Sequence, residues 1–193
     1  MTYYRYLKEK FKSLVDSKLW FLVAIVGTIQ QTLKNMSPVL IWKDSDGDWV
    51  NKRRNLTIFS PTLNVESYKN IKLRVDDLWL HQHDISSNKV IFDIGAGIGD
   101  DLVYLSKTCS EDAKLYAIEA HPITYRCLEK TILANFLKNV IPINVACCDV
   151  EKTLSISSST KEHLGNNIFE YSELILKTSF LQIKIQLLNL ILQ

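Results

Sequence analysis

Residues 89–101, with the sequence KVIFDIGAGIGDD, decide the fold of this chain. An apolar run reaches an acid and then glycines spaced G-x-G-x-G, and an amphipathic segment follows at once. The run is too short for a membrane span, and its β-branched residues with an abrupt glycine end are typical of a parallel strand in an α/β sheet. Glycines are needed because a positive φ and a close approach of backbone to a ligand both exclude a Cβ. The stretch predicts a buried strand, a tight loop and a helix start.

Two classes of ligand use such a loop. A dinucleotide loop has the pattern G-x-G-x-x-G, whose third glycine or alanine lets the helix N-terminus approach a pyrophosphate. Here that position is Asp100, and Asp101 adds a second acid where a phosphate would need positive potential. A nucleoside that carries a cationic centre and an ammonium group would tolerate both acids. The loop therefore favours S-adenosylmethionine, and an NAD-dependent enzyme is the possibility that Asp100 argues against.

A carboxylate at the end of the next apolar run is the second part of the signal. The run at 115–118 ends in Glu119, at about the distance (~20 residues) where the second strand of a nucleotide-binding unit delivers an acid to ribose hydroxyls. A carboxylate suits this task because it accepts hydrogen bonds from both hydroxyls. Strand, glycine loop, helix, strand and acid in this order predict a nucleotide-binding unit.

The motifs FDIGAGIG at 92–99, AIEAHP at 117–122 and LKNV at 137–140 occur together with Asn135, Ala146 and Asp149. Over roughly residues 88–160, the chain thereby resembles the FkbM family of S-adenosylmethionine-dependent methyltransferases. The resemblance implies a Rossmann-like methyltransferase fold with a doubly wound sheet. It also implies O-methylation of a sugar or another hydroxylated metabolite, so the expected acceptor is a small molecule or a glycan.

Seven residues are the candidates for cofactor binding, on the pattern and the resemblance together. They are Asp93, Gly95, Ala96, Gly97, Gly99, Glu119 and Ala120. No residue can be named as the catalytic base from the sequence. The alternative function is a non-catalytic nucleoside-binding or structural remnant of a methyltransferase.

Two groups of possible metal ligands were weighed, and no metal site is expected from either. His81 and His83 lie two residues apart but have no third ligand at a useful spacing, so surface or hydrogen-bonded histidines are expected. Residues 44–48 carry three aspartates in the D-x-D-x-D spacing of a calcium loop. Asn55 stands where such a loop needs a glutamate, so a hairpin turn is the favoured interpretation.

Composition limits the partners and the compartment. The 193 residues are 47% hydrophobic and 23% charged, which is ordinary for a globular protein. A net charge of +2 and the lack of a basic stripe with interleaved aromatics speak against nucleic acid. The cluster at 52–54 is interpreted as a solvated turn, with a phosphate or polysaccharide contact as the alternative. Cys109, Cys127, Cys147 and Cys148 lack C-x-x-C spacing, so reduced thiols in a cytoplasm and mostly core positions are expected.

The N-terminal part, residues 1–87, is expected to be an extension that is helical at first and then rich in β-strands. Residues 1–35 show helical periodicity, and their apolar run at 19–26 is shorter than the roughly 20 residues of a membrane span. A helix packed on the domain is preferred. A membrane-surface helix is the alternative, because lysines, tyrosines and a tryptophan flank the run. Short strands are predicted at 39–42, 49–50 and 56–59.

Residues 88–193 are expected to form the Rossmann-like domain. His121 and Pro122 predict the start of a helix that ends near Asn135, and an apolar run at 140–145 predicts a third strand. Further strands are predicted at 153–157 and 180–185, before an apolar end at 187–192. In the resembled family more strands follow, so an incomplete domain with little turnover is expected. The sequence does not indicate an oligomeric state.

Overall fold

A computed structural model describes residues 17–81 and 83–147, together with Ser13, Val15 and three strands beyond residue 151. Several predictions lie outside the described residues. They concern most of the helical segment before residue 17, the strand at 180–185, the apolar end at 187–192, Cys148 and Asp149.

The first described unit is a helix on a small antiparallel sheet. Its elements are α1 (Trp20–Asn35), β1 (Val39–Lys43), β2 (Trp49–Arg53) and β3 (Leu56–Ser60), with strand order β1-β2-β3. Helix α1 buries Val23 and Ala24 against the sheet. The hydroxyls of Thr28 and Thr32 accept hydrogen bonds from the backbone N–H groups of Ile41 and Val39, at 2.9 and 3.0 Å. The preferred packed helix is confirmed for residues 20–35, and the three predicted strands are confirmed.

The opposite side of α1 carries an exposed apolar stripe of Phe21, Ile25, Ile29 and Leu33. No helix in the described part of the chain has the length and apolar character needed to cross a membrane. The alternative of a membrane-surface helix stays a prediction.

A short helix that the sequence did not predict follows the small sheet. Helix α2 (Tyr68–Arg74) continues into a π-helical turn, Val75–Trp79. Ser67 caps α2 by accepting a hydrogen bond from the N–H of Asn70 at 3.3 Å. Seven residues with one fully buried apolar position make too short a pattern for periodicity to reveal.

The central unit is the predicted β-α-β-α-β arrangement. Its elements are β4 (Val90–Ile94), α3 (Leu102–Thr108), β5 (Lys114–Ile118), α4 (Pro122–Ala134) and β6 (Val140–Ile143), and its strands are parallel in the order β4-β5-β6. The first strand is not the buried strand that was predicted: Val90, Phe92 and Ile94 are exposed, and β4 lies at the edge of the sheet with only β5 beside it among the described strands. His121 caps α4, because its Nδ1 accepts from the N–H of Thr124 at 3.3 Å. The fold is α/β, as predicted. Strands β7 (Lys152–Ile156), β8 (Ile168–Phe169) and β9 (Leu176–Thr178) form a separate antiparallel sheet.

One hydrophobic core joins the small sheet, α2 and the parallel unit. Ile58, Ile71, Leu102 and Leu128 belong to it and are fully buried. Helix α4 also supplies hydrogen bonds to the free edge of β3. Asn135 Oδ1 accepts from the N–H of Thr57 at 3.0 Å, and Thr131 Oγ1 accepts from the N–H of Phe59 at 3.1 Å. Residues from both sides of position 87 therefore share one core.

The aspartates at 44–48 form the β1–β2 turn, so the predicted hairpin is confirmed. Lys130 of α4 places its Nζ 2.7, 2.6 and 2.6 Å from carboxylate oxygens of Asp44, Asp46 and Asp48. Arg126 donates to both oxygens of Asp48, at 3.0 and 2.5 Å. Burial would raise the pKa of Asp48, but these two cations outweigh it and the pKa is lowered. The aspartates therefore fasten the hairpin to α4.

The cysteine prediction is confirmed for two residues and wrong for one. Cys109 and Cys127 are buried in the core. Cys147 is exposed. It was expected in the core, but β6 ends at Ile143 and Cys147 lies in the segment that follows.

Candidate functional site

The glycine loop after β4 has the backbone conformation that its sequence predicts. Gly95, Gly97 and Gly99 have φ angles of 82°, 56° and 78°, in the left-handed region that favours glycine. A Cβ at Gly99 would lie 2.6 Å from Leu128 Cδ1, so this glycine permits close packing of the loop on α4. A Cβ at Gly95 would meet no atom within 4 Å, and at Gly97 only the Gly95 oxygen at 4.0 Å. The outer side of the loop is therefore open to a ligand.

Glu119 ties the glycine loop to the loop after β5. Its Oε2 accepts from the N–H of Gly97 at 3.0 Å, and its Oε1 accepts from the N–H of His121 at 2.8 Å. Each carboxylate oxygen has a second lone pair, which keeps Glu119 able to accept from a ligand hydroxyl. The predicted acid thus reaches the predicted loop directly.

Asn144, which the sequence analysis missed, holds the loop after β5 in place. Its Nδ2 donates to the carbonyl oxygens of Glu119 and Ala120, at 2.8 and 3.2 Å. The N–H of Glu119 donates to the Ile143 carbonyl at 3.1 Å. Its position in the sequence could have indicated this role. A polar residue just after the third parallel strand lies at the same edge of the sheet as the ends of the first two strands.

Acidic side chains gather at this sheet edge. Burial, followed by the carboxylates of Asp101, Asp100 and Glu119, raises the pKa of Asp93 to about 6. Burial and the neighbouring Asp101 raise the pKa of Asp100 to about 6, although Arg74 acts in the opposite direction. Such shifts show that these carboxylates pay a free-energy cost to be ionised.

Arg74 is the cation of this acidic region, and the sequence analysis missed it because α2 was not predicted. Its guanidinium lies 2.6 Å from Glu66 Oε1, 2.7 Å from Asp100 Oδ2 and 2.5 Å from Asp101 Oδ1. Trp79 donates its indole N–H to Asp101 Oδ2 at 3.1 Å. One guanidinium shared by three carboxylates leaves the region negative, while it also fixes α2 against the loop.

All seven candidate cofactor residues lie at the carboxyl edge of β4 and β5, in the strand end and the two loops. They differ in access. Gly95 is exposed and Gly97 is half-buried, whereas Ala96 and Gly99 are buried beneath the loop surface. A ligand would therefore meet the backbone at Gly95 and Gly97, with Ala96 and Gly99 supporting it.

The predicted histidines lie outside this arrangement. His81 and His83 are exposed, in the segment between the π-helical turn and β4, as expected of surface histidines. Within residues 17–81 and 83–147, the only cluster of three possible metal ligands is the aspartate group at 44–48. Lys130 already occupies the centre of that group.

No protein-family model and no curated protein matches the chain. Among solved structures, TYW2 of M. jannaschii in complex with AdoMet is 29% identical over 58% of this chain and 52% of that one, with a TM-score of 0.40. A SAM-dependent methyltransferase from Aquifex aeolicus is 25% identical over 41% and 47%, with a TM-score of 0.33. Aeropyrum pernix fibrillarin with bound S-adenosyl-L-methionine is 15% identical over 57% and 58%, with a TM-score of 0.35.

The chain spans about half the length of these three proteins. Two of them were solved with S-adenosylmethionine, and the third is named for its use of that cofactor. The matches are partial, and no FkbM protein is among these three.

Proposed function

We propose that this chain is the cofactor-binding part of an S-adenosylmethionine-dependent methyltransferase. The observation that carries the proposal is the sheet edge where open glycine backbone lies beside a cluster of carboxylates. Gly95 and Gly97 leave room for a ligand, Glu119 accepts a hydrogen bond from the N–H of Gly97, and Asp93 interacts electrostatically with Glu119. This combination suits a nucleoside with positive charge.

The charge of the site separates this cofactor from a dinucleotide. The raised pKa of Asp93 reflects burial and repulsion among neighbouring carboxylates. A sulfonium and an ammonium group would relieve that repulsion, whereas a pyrophosphate would increase it. Arg74 is already shared by three carboxylates, so it offers little attraction to a phosphate.

Each loop has a proposed task in binding. The backbone of Gly95 and Gly97 would lie against the cofactor, and Glu119 would accept from the ribose hydroxyls with its remaining lone pairs. Asn144 would keep Glu119 and Ala120 in position for the cofactor by donating hydrogen bonds to their carbonyl oxygens. Asp93 would face the cationic part of the cofactor.

The bound cofactor supplies a methyl group on an activated sulfonium, so the protein contributes mainly alignment with an acceptor. We propose a hydroxylated small molecule or a glycan as that acceptor, on the strength of the FkbM-like motifs at 92–99 and 117–122. The acceptor oxygen gains the methyl group, and its proton passes to a base or to water.

Calorimetric titration with S-adenosylmethionine, S-adenosylhomocysteine and NAD in parallel tests the proposal. We expect heats with the first two ligands and none with NAD. A Gly97→Val chain should lose the heats, because a branched side chain would occupy the open side of the loop.

Gly47→Val is the matched control, because Gly47 also has a positive φ, 80°, and open space around it, but lies in the β1–β2 turn. It carries the same backbone strain without touching the site, so its titration should match the parent's. Equal heats for a folded Gly97→Val chain, or heats with NAD alone, would refute the proposal. Cofactor heats without methyl transfer to any acceptor would favour a nucleoside-binding remnant.

A further inference from the structure

A groove of about 590 Å³ lies between the small sheet and the far ends of α3 and α4. Its lining includes four cations, Lys52, Arg53, Arg54 and Lys107, and three aromatic side chains, Trp42, Phe59 and Phe136. Residues 52–54 are the basic cluster seen in the sequence, whereas Lys107 and the three aromatic side chains come from other segments. The fold brings them together.

The groove is positively charged. No acidic side chain is among its lining residues, and none of its three exposed cations forms an ion pair within the described part of the chain. Lys107 lies over the ring of Tyr68, with its Nζ 5.1 Å from the ring centroid. Arg53 is different, because its guanidinium donates to the carbonyl oxygens of Val65 and Glu66.

Phe136 gives the groove an exposed aromatic plane at an unfavourable backbone position. It is 82% exposed, and its φ of 55° lies in the left-handed region. Glycine or asparagine is usual at this position after a helix, since a bulky side chain is strained there. The backbone conformation caps α4, because the N–H groups of Phe136 and Leu137 donate to the carbonyl oxygens of Leu133 and Ile132, at 3.2 and 3.1 Å. A glycine would form the same cap without strain, so the exposed ring is what Phe136 adds at this position.

We propose that this groove binds single-stranded nucleic acid, with a base stacked on Phe136 and phosphates held by Lys52, Arg54 and Lys107. Cationic grooves with aromatic platforms bind single strands in this way, because every base has a π-face and every phosphate a charge. A sulfated glycan would use the cations but has no planar base for the exposed ring.

This site is separate from the proposed cofactor site. The groove contacts the last residues of α4, whereas Glu119 and His121 lie before its first turn. A helix of 13 residues places the two ends roughly 20 Å apart. Failure of one proposal therefore does not decide the other, because their variants and ligands differ.

Fluorescence anisotropy with a labelled single strand of about ten nucleotides tests the proposal. Phe136→Gly should weaken binding by at least about fivefold, since it removes the stacking platform. Its melting temperature should stay the same or rise, because glycine relieves the left-handed strain. Phe136→Asn, which also tolerates this conformation, serves if the glycine chain does not fold.

Met36→Gly is the matched control. Met36 ends α1 with a φ of 49° and is 91% exposed, but it does not line the groove. Its replacement should have the same effect on stability and none on binding.

Replacing Lys52 and Arg54 by glutamine should lower affinity and flatten its dependence on salt, because fewer counterions are released. Unchanged single-strand affinity in Phe136→Gly would overturn the proposal in favour of a general anion surface. So would a Phe136→Gly chain that loses affinity for a heparin fragment and for the single strand by the same factor.

Discussion

Asp93 shows at the level of one residue how a binding site can oppose stability. Burial first, and then neighbouring carboxylates, raises the pKa of this carboxyl from 3.8 to about 6. The native chain therefore holds the proton more tightly than the unfolded chain. The stability that this provides is complete below pH 3.8 and is lost as the pH rises through about 6.

We accordingly expect Asp93→Asn to raise the free energy of unfolding near neutral pH by about 1–3 kcal/mol. This gain in stability should disappear as the pH falls to about the ordinary pKa of an aspartate. Urea denaturation of both chains across this range measures it, and a variant less stable than the parent at neutral pH would contradict the argument. The same variant should bind S-adenosylmethionine more weakly, because it lacks a charge for the cation to meet.

Residues of the site divide into those that local sequence reveals and those that it hides. Gly95, Gly97 and Glu119 could be predicted, because a strand, a glycine turn and a strand-end acid form a local pattern. Arg74 and Asn144 could not, because their roles depend on which loops they meet in space. An arginine or an asparagine at these positions does not indicate a role in the site until the fold is known.

At the level of elements, the hairpin between β1 and β2 depends on α4 for its charge balance. Lys130 contacts three aspartates, and Asp48 beneath it is only 3% exposed. Arg126 and Lys130 lie one helical turn apart, so both reach the same turn of the hairpin. The sequence predicted the hairpin but not these partners.

Lys130→Met should lower the free energy of unfolding by about 2 kcal/mol, because it leaves a buried carboxylate with one cation fewer. The loss of stability should be smaller in millimolar Ca²⁺. Without the Lys130 ammonium, three carboxylates whose oxygens lie within 4.8 Å of one another could bind the ion and so stabilise the folded variant. Thermal melts with and without calcium measure both effects. Lys69→Met, on an exposed lysine of α2, is the control and should respond to neither change. An equal loss in both variants would rule out the aspartate cluster as the cause.

At the level of the whole molecule, the shared core predicts that the two halves unfold together. All four tryptophans lie before residue 88, whereas Cys127 lies in α4 and is fully buried. Tryptophan fluorescence therefore reports on the first half, and reactivity of Cys127 reports on the second.

In a chain whose other cysteines are replaced by serine, both probes should give the same urea midpoint. Separate midpoints would mean that the predicted division at residue 87 is also a division in stability. The parallel unit was predictable because its strands and helices are local patterns. The docking of β3 on α4 was not, because it rests on hydrogen bonds between residues such as Thr57 and Asn135, far apart in the chain.

Lys130 also determines how the aspartate turn responds to its surroundings. A calcium loop with the same spacing gains and loses its ion as the free concentration changes, so its structure follows the composition of the solution. Here the cation is tethered by a covalent chain, and its effective concentration at the carboxylates is fixed by the helix that carries it. A chelator cannot remove it. The contact between the hairpin and the helix therefore does not depend on the concentration of free ion, as it would if a bound calcium ion held it together.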